Sequence, residues 1–484
     1  MRQGICAFLT NHSTIKLYPV TMKLRLNCIC LPLLFLALSI QQVTNAQQIT
    51  RKVKETQLVK MDSVLIGSSF TYSSNMMRVG CCVRNKNKQV VMINGIKGKL
   101  YDSVCLPIFS PDGKHFVYRA INNKKWIWVS GDAKETSIDS TSPMVAQRFG
   151  PDSRSMLQLF TDGNKFFLRY NNSRGKSYDA INFNSITISR DGKKIAYSAR
   201  VDNKQLNVFD NQEGALFDNV GFPVLSANGL HIGYWAIDNS AWYAIIDNVK
   251  GRPFEEVGSI IFSDNGEHYL YRAKLDKKHV VVTEKSMSGK YEKVHSVALS
   301  PDGSRAAYAF RDAQPDKEGF DMYVFADGKR IGSYETLVEG SVKFSSDSKT
   351  LIYKAEIHDE FFIVVKDKPG KRYSDVLQAK AAFSPDNSRF AYVAENDTKR
   401  FINEAGVEGK PYQDIYAILF SADNKRMIYA AKQDNKELVV VDGNDGRSYD
   451  FILGEGQVVF DSPTSFHYMA AQGKNILLVQ ESIE

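Results

Sequence analysis

Seven histidines follow residue 46, at positions 115, 231, 268, 279, 295, 358 and 467. Three of them, His115, His231 and His268, each stand just after a Ser-x-Asp/Asn-Gly turn. Imidazoles held at matching places around a ring can converge on a metal and activate a water. The competing reading is a strand residue beside a turn, because other copies of the segment carry Lys or Arg there, and that reading is preferred. The turns themselves repeat an acid, at Asp112, Asp152, Asp191, Asp302 and Asp386. Calcium requires several oxygens around one ion, whereas one Asp per turn is what the turn's own backbone demands. No cofactor is expected, and calcium is the one ion the pattern leaves open. The chain has no Gly-x-Ser-x-Gly elbow, His-Glu-x-x-His, phosphate loop or Gly-x-Gly-x-x-Gly, so the common nucleophilic, zinc and nucleotide chemistries have no motif here. An enzyme is not the favoured reading.

The turns belong to a longer unit. An apolar or aromatic residue, a Ser, a Pro/Asp/Asn turn often closed by Gly, and an alternating run ending in Tyr-x-Ala recur along the chain. The leading residue falls at Tyr72, Phe109, Phe149, Ile188, Leu225, Phe262, Leu299, Phe344, Phe383, Phe420 and Phe460, with spacings of 37 to 45 residues. Such a period marks a repeat architecture. Phe109-Ser-Pro-Asp-Gly113 is its fullest form: Pro presets the first turn angle, Asp bonds back to the backbone, and Gly accepts a positive φ. A second signature follows each turn at a distance, as in Gly175-Lys-Ser-Tyr178, Gly370-Lys-Arg-Tyr373, Gly409-Lys-Pro-Tyr412 and Gly446-Arg-Ser-Tyr449. Tyr101, Tyr178, Tyr291, Tyr373, Tyr412 and Tyr449 share one place in the unit, which predicts packing between units rather than a ligand site.

Three or four short antiparallel strands every ~38 residues, with no helical stretch, describe all-β propeller blades. The Phe-Ser-Pro-Asp-Gly anchor and its Tyr-x-Ala strand resemble the WD40-like, TolB-type propeller repeat of exported bacterial proteins. That resemblance covers the chain after residue 60 and implies a fold, not an activity. The N-terminal α/β domain of TolB is absent, as are the Gly-His and Trp-Asp pairs of ordinary WD40 blades. Eleven anchors exceed the usual four to eight blades. Two tandem rings are the simplest arrangement, five blades then six with a boundary near 257 (62–257 and 258–484), or four then seven. One unusually large ring is the alternative. The last unit lacks an outer strand, which the segment near Val64 could supply.

Residues 1–46 read as a secretory signal: a basic start from Met22, an apolar run from Leu31 to Ile40, and Thr44-Asn-Ala46 before Gln47. Met22 offers an alternative start. The apolar run is short for a membrane span, so the mature chain is expected to be exported, to the periplasm, cell surface or medium, with no transmembrane span. Removing Arg2, Lys16, Lys23 and Arg25 takes the net charge from +8 to +4. With both signs interspersed, nucleic acid is not an expected partner. Residues 47–61 read as a polar lead-in. Of the mature cysteines, adjacent Cys81 and Cys82 point to opposite faces of a strand, so one of them is expected in the core. Cys105 stands within disulfide-forming choice of either in an oxidising compartment.

Breaks in a repeat are better ligand candidates than its constant positions. Two irregular loops qualify, Asp132 to Gln147 and Arg311 to Phe320, together with unit-specific tryptophans. The candidate binding residues are therefore Trp126, Trp128, Asp132, Lys134, Arg311, Asp316, Lys317 and Phe320. The expected function is an exported, non-enzymatic scaffold that binds a protein or an envelope component. The alternatives are a propeller lyase or hydrolase acting on polysaccharide or peptidoglycan, and a structural part of a surface assembly.

Overall fold

The turn chemistry read from the sequence is made locally in every regular unit. In the second unit the Ser110 hydroxyl donates to Asp112 at 2.6 Å, and Asp112 accepts the Lys114 amide at 2.9 Å. Ser110 Oγ in turn accepts the amide of His115 at 2.9 Å. The Ser–carboxylate bond recurs at Ser189, Ser300, Ser345, Ser384 and Ser421. Each Ser and carboxylate thus satisfies amides that a tight turn leaves unpaired. Each residue five places after the Ser is pinned at the start of its strand.

The structure, a computed structural model, describes residues 49–61, 65–131, 134–137, 144–171, 173–314, 316–317 and 319–484. Its strands form eleven antiparallel sheets of four or five strands. Ten follow the chain as blades 1 to 10, at 65–97, 103–137, 144–178, 180–213, 219–250, 256–283, 293–334, 336–369, 375–408 and 414–449. Helix is confined, among the described residues, to single turns at Phe183–Ser185 and Leu453–Gly456. This is an eleven-bladed β-propeller arrangement.

Blade 11 is built from both ends of the chain. Its strands between 451 and 483 are completed by Arg51–Lys60, which pairs antiparallel with Asn475–Ile483. The polar lead-in expected at 47–61 is therefore an outer strand. Its two buried residues are the adjacent Leu58 and Val59, so it lacks the alternation that marks a half-buried strand. The segment near Val64 does not donate that strand: Val64 itself lies outside the described residues, and Leu65–Tyr72 just after it pairs within blade 1.

Each apolar core joins one blade to the next. Tyr178, at the end of blade 3, packs edge-on against Tyr197 of blade 4 with ring centroids 6.2 Å apart, and Tyr412 against Tyr429 at 6.1 Å. The same contact recurs at Tyr101–Tyr118, Tyr373–Tyr392 and Tyr449–Tyr468. Such pairs add about 0.5–1.5 kcal/mol each beyond area burial. The phenols also bond forward: Tyr373 donates to Glu408 at 3.0 Å, and Tyr449 to Glu55 of the N-terminal strand at 2.6 Å. Val257 and Tyr271 of blade 6 share a cluster with Ala244 of blade 5. Blade 11 packs on blade 1 through Met469, Ala471 and Ile476 against Val79, Cys81 and Val83.

Cys81 and Cys82 do face opposite ways, but both are buried. Cys81 meets blade 11 and Cys82 meets blade 2. A strand in a blade has a neighbour on either side, so neither face is solvent. None of the three described thiols is joined in a disulfide.

Candidate functional site

The residue five places after each anchor Ser is fixed by its amide bond to that Ser, so its side chain leaves the turn in the same direction in every blade. In most blades it is a base, and about sixteen residues later (twenty-two in the longer blade 7) the turn closing the third strand carries an acid in blades 4 to 7, 9 and 10. The two meet: Lys194 with Asp210, His231 with Asp247 at 2.7 Å, and His268 with Glu284 at 2.7 Å. Arg305 meets Asp327 at 2.6 Å, Arg389 meets Glu404 at 2.6 Å, and Arg426 meets Asp442 at 2.9 Å. The acid has a second duty, since Asp247 accepts the Ile232 amide at 2.9 Å and Asp442 the Met427 amide at 2.8 Å. His231 and His268 are accordingly hydrogen-bonded, each to the carboxylate of its own blade.

Blades 1 to 3 break this rule. Arg78 and His115 hold the basic position in blades 1 and 2, while blade 3 has Ser155 there with Arg154 beside it. Opposite them stand Asn94, Gly131 and Asn171 where blades 4 to 7, 9 and 10 place an acid; blade 8, with Thr350 and Lys366 at the two places, carries neither the base nor the acid. Asn94 keeps the backbone duty, accepting the Val79 amide at 2.8 Å, and Asn171 accepts that of Met156 at 3.3 Å. The turn geometry is retained at 94 and 171, and the charge is gone at all three places.

A cleft of about 810 Å³ opens at this place, lined by residues of blades 1, 2 and 3. Arg78, Lys97, Lys99, Lys114, His115 and Arg154 contribute to its wall, and no described lining residue is Asp or Glu. The nearest repeat acids serve their own turns. Asp112 is held below the ordinary carboxylate range by the Ser110 hydroxyl and the Lys114 amide, with smaller help from the charges of His115 and Lys114. Asp152 accepts from Ser155 at 2.5 Å and from the Arg154 amide at 3.2 Å. The rest of the lining includes the apolar Ile93, Phe116, Val117, Phe149 and Met156. Ile96, 76 % exposed, stands beside Lys97. Size and mixed lining fall within the range of small-ligand and peptide sites.

The residues expected from sequence are placed as follows. Trp126 is 44 % exposed, with the Arg119 guanidinium 5.3 Å from its ring centre. Trp128 packs instead on Met144, Phe160 and Phe167 of blade 3. Asp132 lies outside the described residues, and Lys134 begins a strand paired with Lys125–Ser130. The loop after Arg311 is tied to itself: Arg311 sits 3.2 Å from Asp321, and Asp316 accepts the Phe320 amide at 2.8 Å. Lys317 is exposed, and Phe320 lies 6.3 Å from the His358 ring of blade 8. Trp128 is thus placed against blade 3 and Phe320 against blade 8. Gly131, which precedes the first loop, lines the cleft. The cleft bases other than His115 were not anticipated, and the missing acids at 94, 131 and 171 are the signal that marks them.

No protein-family model matches the chain, and no curated protein matches it. Among solved structures it is similar to a crystal structure of a eukaryotic initiation factor, at 11 % identity and a TM-score of 0.39, covering 75 % of this chain and 92 % of that one. It is also similar to the Dos1 propeller, at 9 % identity and a TM-score of 0.29 over 78 % of this chain and 92 % of that one. A third is an oligogalacturonate lyase in complex with manganese, at 10 % identity and a TM-score of 0.26, over 65 % and 97 %. These are likenesses of fold.

Proposed function

We propose that this chain is an exported, non-enzymatic propeller scaffold with repeats of the WD40-like, TolB type, and that it binds a protein of the cell envelope or its surroundings. The observation that carries this reading is the cleft on blades 1 to 3, where bases remain and their repeat-wide acids do not. In blades 4 to 7, 9 and 10 the repeat pairs that base within the blade, so Arg78 and His115, facing Asn94 and Gly131, are a local departure from the scaffold's rule. Charge of one sign in a concave site attracts and steers a partner of the other. Carboxylate-pair chemistry on a glycan needs two acids flanking the bond, and the described lining offers none.

One closed ring is part of the proposal. Its support is the core joining blade 11 to blade 1, the completion of blade 11 by the N-terminal strand, and the unbroken core between blades 5 and 6. Closure also removes sheet edges that would otherwise recruit other chains. The export reading rests on the layout of residues 1–46, which lie outside the described residues.

The test is charge reversal at the cleft. Lys97→Glu with Lys114→Glu is expected to release the protein from envelope fractions or from its cross-linked partner, with its melting temperature unchanged. Retention of the wild-type association by the folded variant overturns the reading.

A further inference from the structure

We infer that the cleft on blades 1 to 3 takes an acidic peptide segment bearing apolar side chains, whose carboxylates occupy the places that Asp or Glu fills in blades 4 to 7, 9 and 10. This rests on the cleft being the binding site proposed above.

The argument begins with backbone geometry. Asn94 has φ +47°, and the acids at the same place in blades 4, 5, 7 and 10, Asp210, Asp247, Asp327 and Asp442, have φ +48°, +50°, +51° and +46°. Nothing in the turn conformation excludes an acid from position 94, since its counterparts carry one in the same conformation. At position 131 a Cβ would meet Phe116 at 3.4 Å, an ordinary contact. What sets blade 1 apart is thus the missing charge and not the shape, and in blade 2 position 131 has room for a side chain. Arg78 and His115 keep the place from which their counterparts grip a carboxylate, and among the described residues neither forms an ion pair. A carboxylate brought from outside finds the same partner without displacing an internal one.

The rest of the wall selects among acidic ligands. A glycan presents many hydroxyl donors and needs acceptors to receive them. The described lining has no carboxylate, and its one amide is already used: Asn94 Oδ1 takes the Val79 amide at 2.8 Å and its Nδ2 gives to Met77 O at 3.1 Å. Ser153 Oγ already accepts the Asp112 amide at 2.8 Å. Apolar surface is plentiful, with Ile93, Phe116, Phe149 and Met156 in the wall and Ile96 exposed beside it. Apolar side chains interleaved with carboxylates match both halves of this lining, and they make hydrophobic burial a source of affinity beside charge.

The experiment titrates the purified full chain into a fluorescein-labelled synthetic peptide of alternating Glu and Leu, read by anisotropy. A Lys–Leu peptide and unlabelled oligogalacturonate serve as comparison arms. Binding of the acidic peptide alone is expected, weakening by about tenfold between about 50 and about 300 mM salt as exposed charges are screened. The variant Asn94→Asp/Gly131→Asp restores the internal acids and is expected to weaken binding about tenfold while melting as the wild type does. Asn248→Asp, which adds one such charge in blade 5, is expected to leave binding unchanged. Should the restored-acid protein fail to fold, Lys97→Ala/Lys114→Ala gives the same readout. Oligogalacturonate that binds more tightly than the peptide at equal carboxylate concentration overturns the peptide class and leaves the cleft as the site. Absence of binding by either anion, or wild-type affinity in both cleft variants, overturns the cleft reading itself.

Discussion

Removing Arg51 should damage the protein far more than removing Arg447, whose partner Glu55 lies in the same outer strand as Arg51. The Arg51 Nε donates to Glu481 Oε2 at 2.7 Å, with Nη2 2.6 Å from that oxygen. The two side chains are 8 % and 0 % exposed. Arg51 also donates to the Val439 carbonyl of blade 10 at 3.0 Å and lies 5.7 Å from the Phe466 ring centre. One guanidinium therefore links the N-terminal strand, the last strand and the preceding blade. Arg51→Met preserves much of the stem volume but strands a buried carboxylate, a change that costs about 3–5 kcal/mol. The lost bond to Val439 adds about 1 kcal/mol. Arg447 pairs with Glu55 of the same strand at 3.0 Å but is 64 % exposed, so Arg447→Met should cost less than about 1 kcal/mol. Urea unfolding followed by intrinsic fluorescence compares the two. Adding Glu481→Gln to Arg51→Met should recover most of the loss, because Gln is neutral and still accepts the Tyr468 hydroxyl now 2.6 Å from Glu481. Equal losses for the two arginine variants, or no recovery in the double variant, would refute the argument that burial makes this pair decisive.

Three further outcomes are expected. The anchor acids Asp112, Asp191, Asp302, Asp347 and Asp423 are all held below their ordinary range, first by the hydroxyl of the Ser two residues earlier. A depressed native pKa gives stability that is present above the unfolded value of about 3.9 and lost as pH falls through the native one. Melting temperature should therefore be insensitive to these groups from pH 5 upward by about a degree or two and fall below about pH 4; a fall confined to the range above pH 5 contradicts this. The Cys82 thiol is pushed up to about 12, chiefly by burial, with Cys81 and Cys105 adding to it. Native protein at about pH 8 should leave Cys82 unlabelled by a thiol reagent while the half-buried Cys105 reacts, as peptide mapping would show; prompt labelling of Cys82 contradicts it. Tyr412→Phe removes the hydroxyl bond to Asp445 at 2.5 Å and should cost about 1 kcal/mol, whereas Tyr412→Ala opens the blade 9–10 core and should cost about 3–5 kcal/mol, both measured by urea unfolding. Similar losses for the two would place the value of Tyr412 in its hydroxyl and not in its packing.

Much of the blade was legible because its determinants are local. Ser110, Asp112 and His115 lie within six residues, so their bonding follows from turn chemistry alone. The tyrosines at 101, 178, 373, 412 and 449 recur at one place, and repetition correctly pointed to packing between blades. The outer strand at 51–60 was not legible, because a strand exposed along most of its length carries no alternation. Trp128 and the 311–320 loop looked like surface additions, yet neighbouring blades and the loop's own bonds absorb Trp128, Phe320 and Asp316.

The sequence by itself determined the repeat, its turns and its apolar faces, since each is written in spacings of two to five residues. It also contained the substitutions at 94, 131 and 171, but nothing in the linear chain says that residue 78 answers to residue 94 or 115 to 131. Only the folded blade decided that, by bringing the start of one strand beside the end of the next. The tertiary structure likewise decided that the chain's two ends share blade 11 and that blade 11 rests on blade 1. Both are long-range contacts, whose partners are chosen by which faces remain uncovered once every local preference has been met.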